Sequence, residues 1–366
     1  MPAVVARLRG AGLFRYFQPH RYGGFEMAWG TQYLLAKELA RGCPSTAWVV
    51  ALCGQLSCHA ARFPREAQQE IWGATDDVVL CQASPPKKGA RVRRVRGGFV
   101  LDGPQGFTSG IDHATWCLAA GRIEGEGPEM WHFLLPRRDY RIRDNWRTIG
   151  MRGTGTKDMV TDGAFVPDHR ALRFEDFQRR PPGASCNPGY IYAMEMGPHV
   201  LGSSPLGPAV GIAEAALADY IAITRQRVSL VLGTPVGDSD LVQVRLAESA
   251  AEIHAADLIA RTDLALLHRR GVARRRLTER EKIDVQRNRG FIAELCMRSV
   301  ARLVRMMGAM GVFDDNPLNR YYRDIHTMTT QVGVAWDTTM PHWGRWALGL
   351  PPRGVMAPRP VAGPKE

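Results

Sequence analysis

Two short stretches rich in glycine and hydroxyl side chains are the first candidates for a functional site in this 366-residue chain. The first, GFTSGIDHATW at residues 106–116, places Ser109 directly before Gly110. A small hydroxyl beside a glycine lets the main chain approach a flat aromatic ligand while offering hydrogen bonds to ring atoms. An ordinary polar hairpin turn is the alternative interpretation of the same residues.

The second stretch, GMRGTGTKDM at residues 150–159, combines three glycines with the hydroxyls of Thr154 and Thr156. It is not a Walker loop, because no Gly-Lys-Ser/Thr element precedes a helix, and it lacks the spacing of a dinucleotide-binding fingerprint. A glycine-rich β-turn would account for it in isolation. Its interpretation therefore depends on the elements around it.

The cysteines give no sign of a metal site. There are seven, an odd number, with no CxxC pair and no Cys/His cluster at zinc spacing. This pattern predicts reduced, mostly buried thiols in a cytoplasmic protein. The first residues lack the apolar core of a signal peptide, and no apolar run reaches the length of a membrane span, so no membrane association is expected.

Hydrophobic periodicity divides the chain into regions of different character. From Gly30 to Trp72 the apolar spacing is helical, whereas short β-rich runs separated by Gly and Pro begin near Asp76. Residues 174–209 show neither the helical nor the strand period of apolar residues, and this pattern predicts a linker or a mobile loop over a site. Four long helical patterns follow, the last through about Trp336, and they indicate an antiparallel bundle.

The predicted fold is α+β, with helices first, an antiparallel β-barrel or sandwich in the middle and a four-helix bundle last. In the second bundle helix, five apolar residues are expected to share a buried stripe: Leu241, Val244, Ile253, Leu258 and Leu264. The predicted domain bounds are 1–75 for the N-terminal helices, 76–190 for the β-domain, 191–350 for the bundle and 351–366 for a tail.

The net charge of +12 is concentrated in one segment. From His268 to Arg305 there are twelve basic and four acidic residues. Such a patch can bind nucleic acid or an anionic phosphate ligand, or it can be a solvated helix face paired across a subunit interface. Phe291 is the only aromatic residue in the segment, which argues against a nucleic-acid groove.

Four segments in this order resemble the acyl-CoA dehydrogenase fold, and more closely the oxygenase components of two-component flavin-dependent monooxygenases, such as hydroxyphenylacetate and secosteroid-phenol hydroxylases. The resemblance spans nearly the whole chain, although that family usually carries about one further helix at its N-terminus. The segments are PHRYGG with ELARGCPSTAW, GFTSGIDHATW, TIGMRGTGTKDMVTDGAFVPDHR and NPLNRYYRDIHT.

The resemblance implies that the two hydroxyl-rich stretches contact a flavin ring and its ribityl side. It also implies that an arginine after the first bundle helix binds the cofactor phosphate of a neighbouring subunit. Arg225 and Arg227 fit this role equally, and the phenylalanine usual after it is replaced by Val228 and Leu230. The implied ring and ribityl contacts are Trp48, Phe107, Ser109, Gly110, Arg152, Thr154 and Thr156.

The last helical segment favours an oxygenase over a dehydrogenase. An acyl-CoA dehydrogenase needs a carboxylate base, often placed shortly after the Arg-Asp pair of the last long helix. No carboxylate occurs between Asp324 and Asp337. Some dehydrogenases carry the base on another helix, so an acyl-CoA dehydrogenase-like enzyme remains an alternative, as does a member that oxygenates nitrogen or sulfur.

Two histidines common in the oxygenase branch are missing at their usual positions, which read Leu56 and Gln331. His59 lies one helical turn beyond Leu56, and His326 precedes Gln331 by five residues. A histidine titrates near neutral pH, so either one is a candidate base for a phenolic substrate. Ser109 and Gln331 are the candidate hydrogen-bond partners of the reacting oxygen.

The function implied by the resemblance is hydroxylation of an aromatic or phenolic small molecule through a flavin C4a-hydroperoxide. Reduced FMN or FAD is expected from a separate NAD(P)H:flavin reductase, with O2 as co-substrate. A cytoplasmic homotetramer with no nucleic-acid partner is the expected assembly. A nucleic-acid-binding helical protein is the alternative from another class.

Overall fold

The computed structural model describes residues 2–351, so the predicted tail lies outside the described residues apart from Pro351. Helices come first, two β-sheets follow, and a helical bundle ends the described chain, which confirms the predicted α+β architecture. The α-helices are α1 (Pro2–Gly10), α2 (Thr31–Gly42), α3 (Pro44–Ala60), α4 (Arg65–Trp72), α5 (Phe174–Arg179), α6 (Tyr190–Ala193), α7 (Pro198–Leu201), α8 (Leu206–Thr224), α9 (Asp240–Val272), α10 (Glu279–Met307), α11 (Pro317–Met328) and α12 (Trp336–Ala347).

Helix α3 is the central helix of the N-terminal region. Cys43 has an extended backbone that ends α2, and Pro44 occupies the first turn of α3, where its missing N–H costs no hydrogen bond. Most α3 residues are buried, as expected for a helix that is apolar on every side. It contacts the first β-strand, the turn at residues 152–154 and α8, and therefore joins all three regions.

The β region consists of two four-stranded sheets, ordered β1-β4-β5-β8 and β2-β3-β7-β6. The prediction of a sandwich is confirmed, but β1 and β4 pair in parallel, so one sheet is mixed rather than purely antiparallel. The strands are β1 (Leu80–Ala83), β2 (Arg91–Val95), β3 (Gly98–Thr108), β4 (Trp116–Arg122), β5 (Met130–Pro136), β6 (Arg141–Arg143), β7 (Lys157–Pro167) and β8 (Ala171–Arg173).

The stretch predicted as a linker, residues 174–209, contains three short helices and the start of α8. The fully buried guanidinium of Arg62, just after α3, donates to the carbonyl oxygens of Phe177 and Tyr192, both at 2.8 Å, and of Gln178 at 3.2 Å. These bonds supply donors to carbonyl oxygens that a short helix leaves unpaired. The stretch is thus fixed to the N-terminal helices despite its irregular sequence.

The bundle departs from the sequence prediction in two places. The single final helix is in fact two, α11 and α12, with a turn around Gly333 between them. In α9, Ile253 and Leu264 are buried, whereas three other members of the predicted stripe are 49–65% exposed, namely Leu241, Val244 and Leu258. Residues 240–248 contain no buried side chain, because this end of the 33-residue helix has few packing neighbours within the chain.

The basic segment is partly neutralised within the chain, since six of its twelve basic residues pair with carboxylates among the described residues. Arg270 pairs with Glu281 at 2.6 Å, and Arg302 pairs with Glu252 at 2.9 Å across α9 and α10. One described helical segment, residues 198–224, is apolar and long enough to cross a membrane, but 61% of it is buried against other helices.

Candidate functional site

A chain of hydrogen-bonded hydroxyls joins the two stretches singled out in the sequence. The Oγ of Ser109, just after β3, lies 2.8 Å from Oγ1 of Thr156, which lies 2.6 Å from Oγ1 of Thr154. The indole nitrogen of Trp48 on α3 donates to Ser109 Oγ at 3.0 Å. Four of the predicted ring-contact residues are therefore in one connected group.

The direction of this chain follows from the number of protons available. Thr154 Oγ1 donates to the carbonyl oxygen of Met151 at 2.9 Å, and a hydroxyl has one proton to give. Thr156 must therefore donate to Thr154, and Ser109 must donate to Thr156. Ser109 already accepts from Trp48, so one lone pair on its oxygen remains, and it can only accept a hydrogen bond from a ligand.

Backbone conformation shapes the surface beside Ser109. Gly110 has φ +74°, and a Cβ there would lie 2.7 Å from Sγ of Cys53, so a side chain would not fit. The β3–β7 pairing shifts register just before Thr108. At this irregularity Phe107 adopts φ +54°, and its ring is 62% exposed. A non-glycine residue in this conformation is uncommon and concentrates at functional sites.

Helix α11 fixes the start of the second stretch. The main-chain N–H of Met151 donates to Oδ1 of Asp324 at 2.5 Å. A Cβ at Gly150 would collide with the carbonyl oxygen of Arg323, so the bend at Gly150 and the helix touch through their main chains. Burial raises the pKa of Asp324, while the Met151 N–H opposes that shift.

Asp324 is a positioning residue that sequence reasoning treated only as a landmark. The available signal was its helical spacing from Tyr321 and Met328, which places the carboxylate on the apolar face of α11, where the structure shows it 8% exposed. A carboxylate in such a place needs a partner. Because the carboxylate of Asp324 accepts the main-chain N–H of Met151, we do not assign it as the base for dehydrogenation of an acyl thioester.

His59 lies apart from the hydroxyl chain. It follows Trp48 by eleven residues on α3, which is roughly 16 Å along the helix axis. Its Nε2 lies 3.2 Å from Nε2 of Gln55, and its ring meets Phe177 edge-on. Burial, with smaller contributions from His132 and Arg62, lowers the pKa of His59 to about 3. His59 is therefore neutral at pH 7 and a weak base.

His326 lies in the last turn of α11, the helix that carries Asp324, and Gln331 follows the end of that helix by three residues. Nδ1 of His326 lies 2.8 Å from the carbonyl oxygen of Tyr322, and the two rings are 4.0 Å apart. This contact assigns the proton to Nδ1 and leaves the Nε2 lone pair free. The side-chain oxygen of Gln331 accepts the main-chain N–H of Gly333 at 2.6 Å, so its amide group remains available as a donor.

The structure separates the two candidate phosphate-binding arginines. Arg227 donates to the carbonyl oxygens of Met306 and Met307, at 3.4 and 3.2 Å, and so caps α10. Arg225 ends α8 and is exposed to solvent. Arg152 is also exposed, in the turn between Met151 and Thr154.

These residues fit a flat heteroaromatic ring with polar edges. The exposed ring of Phe107 offers an apolar surface, Gly110 allows close approach of the main chain, and Ser109 offers a free acceptor. In addition, Oγ1 of Thr108 is buried without a hydrogen-bond partner among the described residues. The order of helices, sheets and bundle, with such a surface between them, defines a flavoenzyme of the acyl-CoA dehydrogenase fold.

Comparison with known families supports this class. Residues 1–74 match the acyl-CoA dehydrogenase N-terminal domain, and residues 206–336 match the acyl-CoA dehydrogenase C-terminal domain. The crystal structure of 3-HSA hydroxylase from Rhodococcus sp. RHA1 superposes with a TM-score of 0.90 at 28% identity, covering 97% of this chain and 92% of that one. The structure of XiaF from Streptomyces sp. in complex with FADH2 and glycerol superposes with a TM-score of 0.89 at 26% identity, covering 96% of this chain and 89% of that one.

Curated relatives narrow the class. The FADH(2)-dependent resorcinol hydroxylase oxygenase component of Rhizobium sp. is 32% identical over 96% of this chain and 88% of its own. The flavin-dependent monooxygenase oxygenase subunit HsaA of Mycobacterium tuberculosis is 30% identical over 96% of this chain and 90% of its own length. The chain belongs to the oxygenase components of flavin-dependent monooxygenases, and it is an oxidoreductase that uses reduced flavin and O2.

Proposed function

We propose that this protein hydroxylates an aromatic or phenolic small molecule and receives its reduced flavin, FMN or FAD, from a separate NAD(P)H:flavin reductase. The observation that carries the proposal is the one-way hydroxyl chain that leaves Ser109 as an acceptor. A reduced flavin ring bears more N–H groups than an oxidised one, so a fixed acceptor favours the reduced state. When bound, reduced flavin supplies the electrons that activate O2 for oxygen transfer.

The residues of the site have distinct tasks in this proposal. Trp48 and Thr156 hold the Ser109 hydroxyl in one orientation, so the acceptor is in place before the ligand arrives. Phe107 covers an apolar face and excludes water from it. Asp324 keeps the 150–156 turn at a fixed distance from α11. The amide of Gln331 donates to the reacting oxygen.

Of the two candidate bases, His326 has the better support. Its Nε2 lone pair is free, and it lies on the helix that holds the second hydroxyl-rich stretch. A base that removes a phenol proton makes the ring more nucleophilic. His59 is assigned no proton transfer, since its buried ring packs on Phe177.

We further propose a homotetramer in which Arg225 binds the flavin phosphate of a neighbouring subunit. Arg225 is exposed, whereas Arg227 is engaged in capping α10. Beside it, Leu230 and Val231 are 103% and 90% exposed, an apolar surface that needs a partner. Exposed Leu241 and Val244 extend this apolar surface along α9. A cytoplasmic location fits the need for a pyridine-nucleotide-dependent reductase.

One experiment tests the proposed reaction. The purified protein is mixed anaerobically with photoreduced FMN or FAD and then with buffer equilibrated with 18O2 that contains resorcinol or another simple phenol. Incorporation of one 18O atom from 18O2 into the product, together with little hydrogen peroxide, is the expected result. Bleaching of tightly bound oxidised flavin by octanoyl-CoA would instead identify an acyl-CoA dehydrogenase, and oxygenation of amines or sulfides alone would reject a phenolic substrate.

A further inference from the structure

Trp146 contacts both of the hydroxyl-rich stretches that form the candidate site. It lies in the loop between β6 and β7 and is half-buried. Its indole nitrogen donates to the carbonyl oxygen of Met151 at 3.0 Å. Its ring meets that of Phe107 edge-on, with 6.2 Å between the ring centres. A single side chain outside both stretches therefore connects them.

The two residues that Trp146 contacts both have an uncommon backbone conformation. Phe107 has φ +54° and Met151 has φ +53°, and two other non-glycine residues of the described chain, Glu26 and Arg274, share this region. A non-glycine residue there costs energy and persists where its surroundings hold it. Trp146 is a contact that Phe107 and Met151 have in common.

The hydrogen bonds of Met151 determine where its carbonyl oxygen points. Its main-chain N–H donates to Asp324, and its carbonyl oxygen accepts Trp146 Nε1 at 3.0 Å and Thr154 Oγ1 at 2.9 Å. These two donors match the two lone pairs of the oxygen, and the N–H of Thr154 adds a longer contact at 3.3 Å. With both lone pairs in use, the carbonyl is held in one orientation.

Two indole groups consequently bound the hydroxyl chain. Trp48 donates to Ser109 at one end, and Trp146 donates at the other end to the Met151 carbonyl that accepts the last proton of the chain. Ser109 remains an acceptor only while Thr154 donates to that carbonyl, because each hydroxyl passes on its single proton. Trp146 thus supports the acceptor at Ser109 through Met151 and Thr154.

The ring of Phe107 also takes its support from Trp146. It is 62% exposed, and Trp146 is the one aromatic ring paired with it in the described chain. An edge-to-face contact favours one relative orientation of the two rings. The apolar surface proposed to cover the flavin is therefore set by Trp146 as well.

The loop itself is attached to β7 by the two residues before Trp146. Oδ1 of Asn145 accepts the N–H of Asp158 at 3.2 Å, and Asp144 pairs with Lys157 at 3.6 Å. These contacts do not involve the indole. Replacing Trp146 with Phe is therefore expected to leave the loop in place and to remove only the indole N–H.

We infer that Trp146 is a positioning residue for reduced flavin, which acts on the ligand through the Phe107 ring and the Met151 carbonyl. This role rests on the flavin contacts of the proposed function. Reduced flavin and O2 that do not react with a substrate yield oxidised flavin and hydrogen peroxide, and exclusion of water from the site limits this loss. Trp146 is therefore expected to govern the affinity for reduced flavin and the share of O2 that reaches the product.

Trp343 on α12 offers a matched control for Trp146→Phe. It is likewise half-buried, its Nε1 donates to Oδ1 of Asp284 at 3.0 Å, and the ring of Trp346 lies 6.4 Å from its own. Asp284 belongs to α10, so this indole ties two bundle helices together and not the candidate site. Trp343→Phe thus removes an equivalent hydrogen bond elsewhere.

The test measures the dissociation constants of photoreduced and oxidised FMN and FAD, anaerobically, on the full chain. Trp146→Phe is expected to weaken reduced flavin about three- to tenfold, the range for loss of one hydrogen bond. Oxidised flavin should be weakened less, because the change acts through the acceptor at Ser109. Trp343→Phe should leave both affinities unchanged. An unchanged affinity in Trp146→Phe, an equal loss for both redox states, or a matching loss in Trp343→Phe would overturn the inference.

A readout without flavin follows the second stretch directly. Amide hydrogen exchange of residues 147–156 should be faster in Trp146→Phe than in wild type, whereas Trp343→Phe should leave it unchanged. Trp146→Leu removes the ring as well and should weaken flavin further. In a Phe107→Leu background this extra loss should disappear, since the two rings act as a pair. Unchanged exchange, or fully additive losses, would contradict the role of Trp146.

Turnover separates this role from the proposed substrate. With a phenol that the wild-type protein hydroxylates, Trp146→Phe should release more hydrogen peroxide per O2 consumed, and an unchanged yield would contradict the role. If the wild-type protein binds reduced flavin but hydroxylates no phenol, the proposed function fails, while the affinity comparison still decides the role of Trp146. A wild-type protein that binds no reduced flavin would reject both.

Discussion

The indole nitrogen of Trp48 and the hydroxyl of Ser109, 3.0 Å apart, join the N-terminal helices to the end of strand β3. The bond does more than hold two regions together. Trp48 only donates, so Ser109 accepts from the helix side. Because Thr154 donates to Met151 and accepts from Thr156, Ser109 is also the donor to Thr156, which is 2.8 Å away. The free lone pair of Ser109 is therefore oriented before any ligand binds.

Replacing Ser109 with Ala removes this acceptor, and we expect it to weaken the binding of reduced flavin more than that of oxidised flavin. Loss of one hydrogen bond to a buried ligand group corresponds to about tenfold in affinity. The dissociation constants for photoreduced and oxidised FMN, measured anaerobically, should change unequally, with the reduced form affected more. Ser109→Thr, which keeps a hydroxyl, is the control. An equal loss for both redox states would show that Ser109 does not discriminate between them.

Asp324 and Met151 are 173 positions apart, and the bond between them is expected to hold the second hydroxyl-rich stretch on α11. Asp324→Ala leaves a buried N–H unpaired, which costs about 1–3 kcal/mol. Asp324→Asn retains an oxygen that can accept this N–H and should cost less. Urea unfolding of both variants measures the difference. Similar stabilities for Ala and wild type would contradict the assigned role.

The sequence predicted those parts of the fold that depend on local pattern. Helix α3 could be predicted from the period of its apolar residues, and the Ser109–Gly110 pair could be predicted from residue type alone. The pairing of Asp324 with Met151 was not readable, since it is a tertiary contact between distant segments. The exposure of Leu241 was missed for the same reason, because an apolar stripe shows what a helix can bury and not where its neighbours end.

Stability should fall as the pH falls from about 6.5 to 5, because three buried histidines resist protonation. Burial lowers the pKa of His59 and His199 to about 3, and that of His132 to about 4. The unfolded chain takes up these protons near pH 6.5 and the native chain does not, so the unfolded state gains stability as the pH falls. Each histidine contributes up to about 1.4 kcal/mol per pH unit.

Urea titrations at pH values across this window test the prediction, with carboxylates still ionised. His132 packs edge-on to Phe177, at 4.7 Å between ring centres, so His132→Phe retains an aromatic ring. This variant should show a shallower dependence of the unfolding free energy on pH. A stability that does not change between pH 6.5 and 5 would mean that the three rings are accessible to protons in the native state.

His326 is expected to matter for turnover and not for folding. His326→Gln should lower kcat on a phenolic substrate by a factor of about 100 or more, the usual contribution of a general base. Added imidazole should restore part of the rate if the ring acts as a base. His254→Gln, at an exposed position on α9, is the matched control. Unchanged kcat in His326→Gln would exclude His326 as the base.

The two arginines after α8 should have separable effects. Arg227 donates to the carbonyls of Met306 and Met307, so Arg227→Ala should lower the free energy of unfolding by about 1 kcal/mol and leave flavin affinity nearly unchanged. Arg225→Ala should instead weaken FMN binding about tenfold without loss of stability. Riboflavin, which lacks the phosphate, supplies the control, because its affinity should be the same in Arg225→Ala and wild type. Equal weakening of FMN and riboflavin would show that Arg225 does not bind the phosphate.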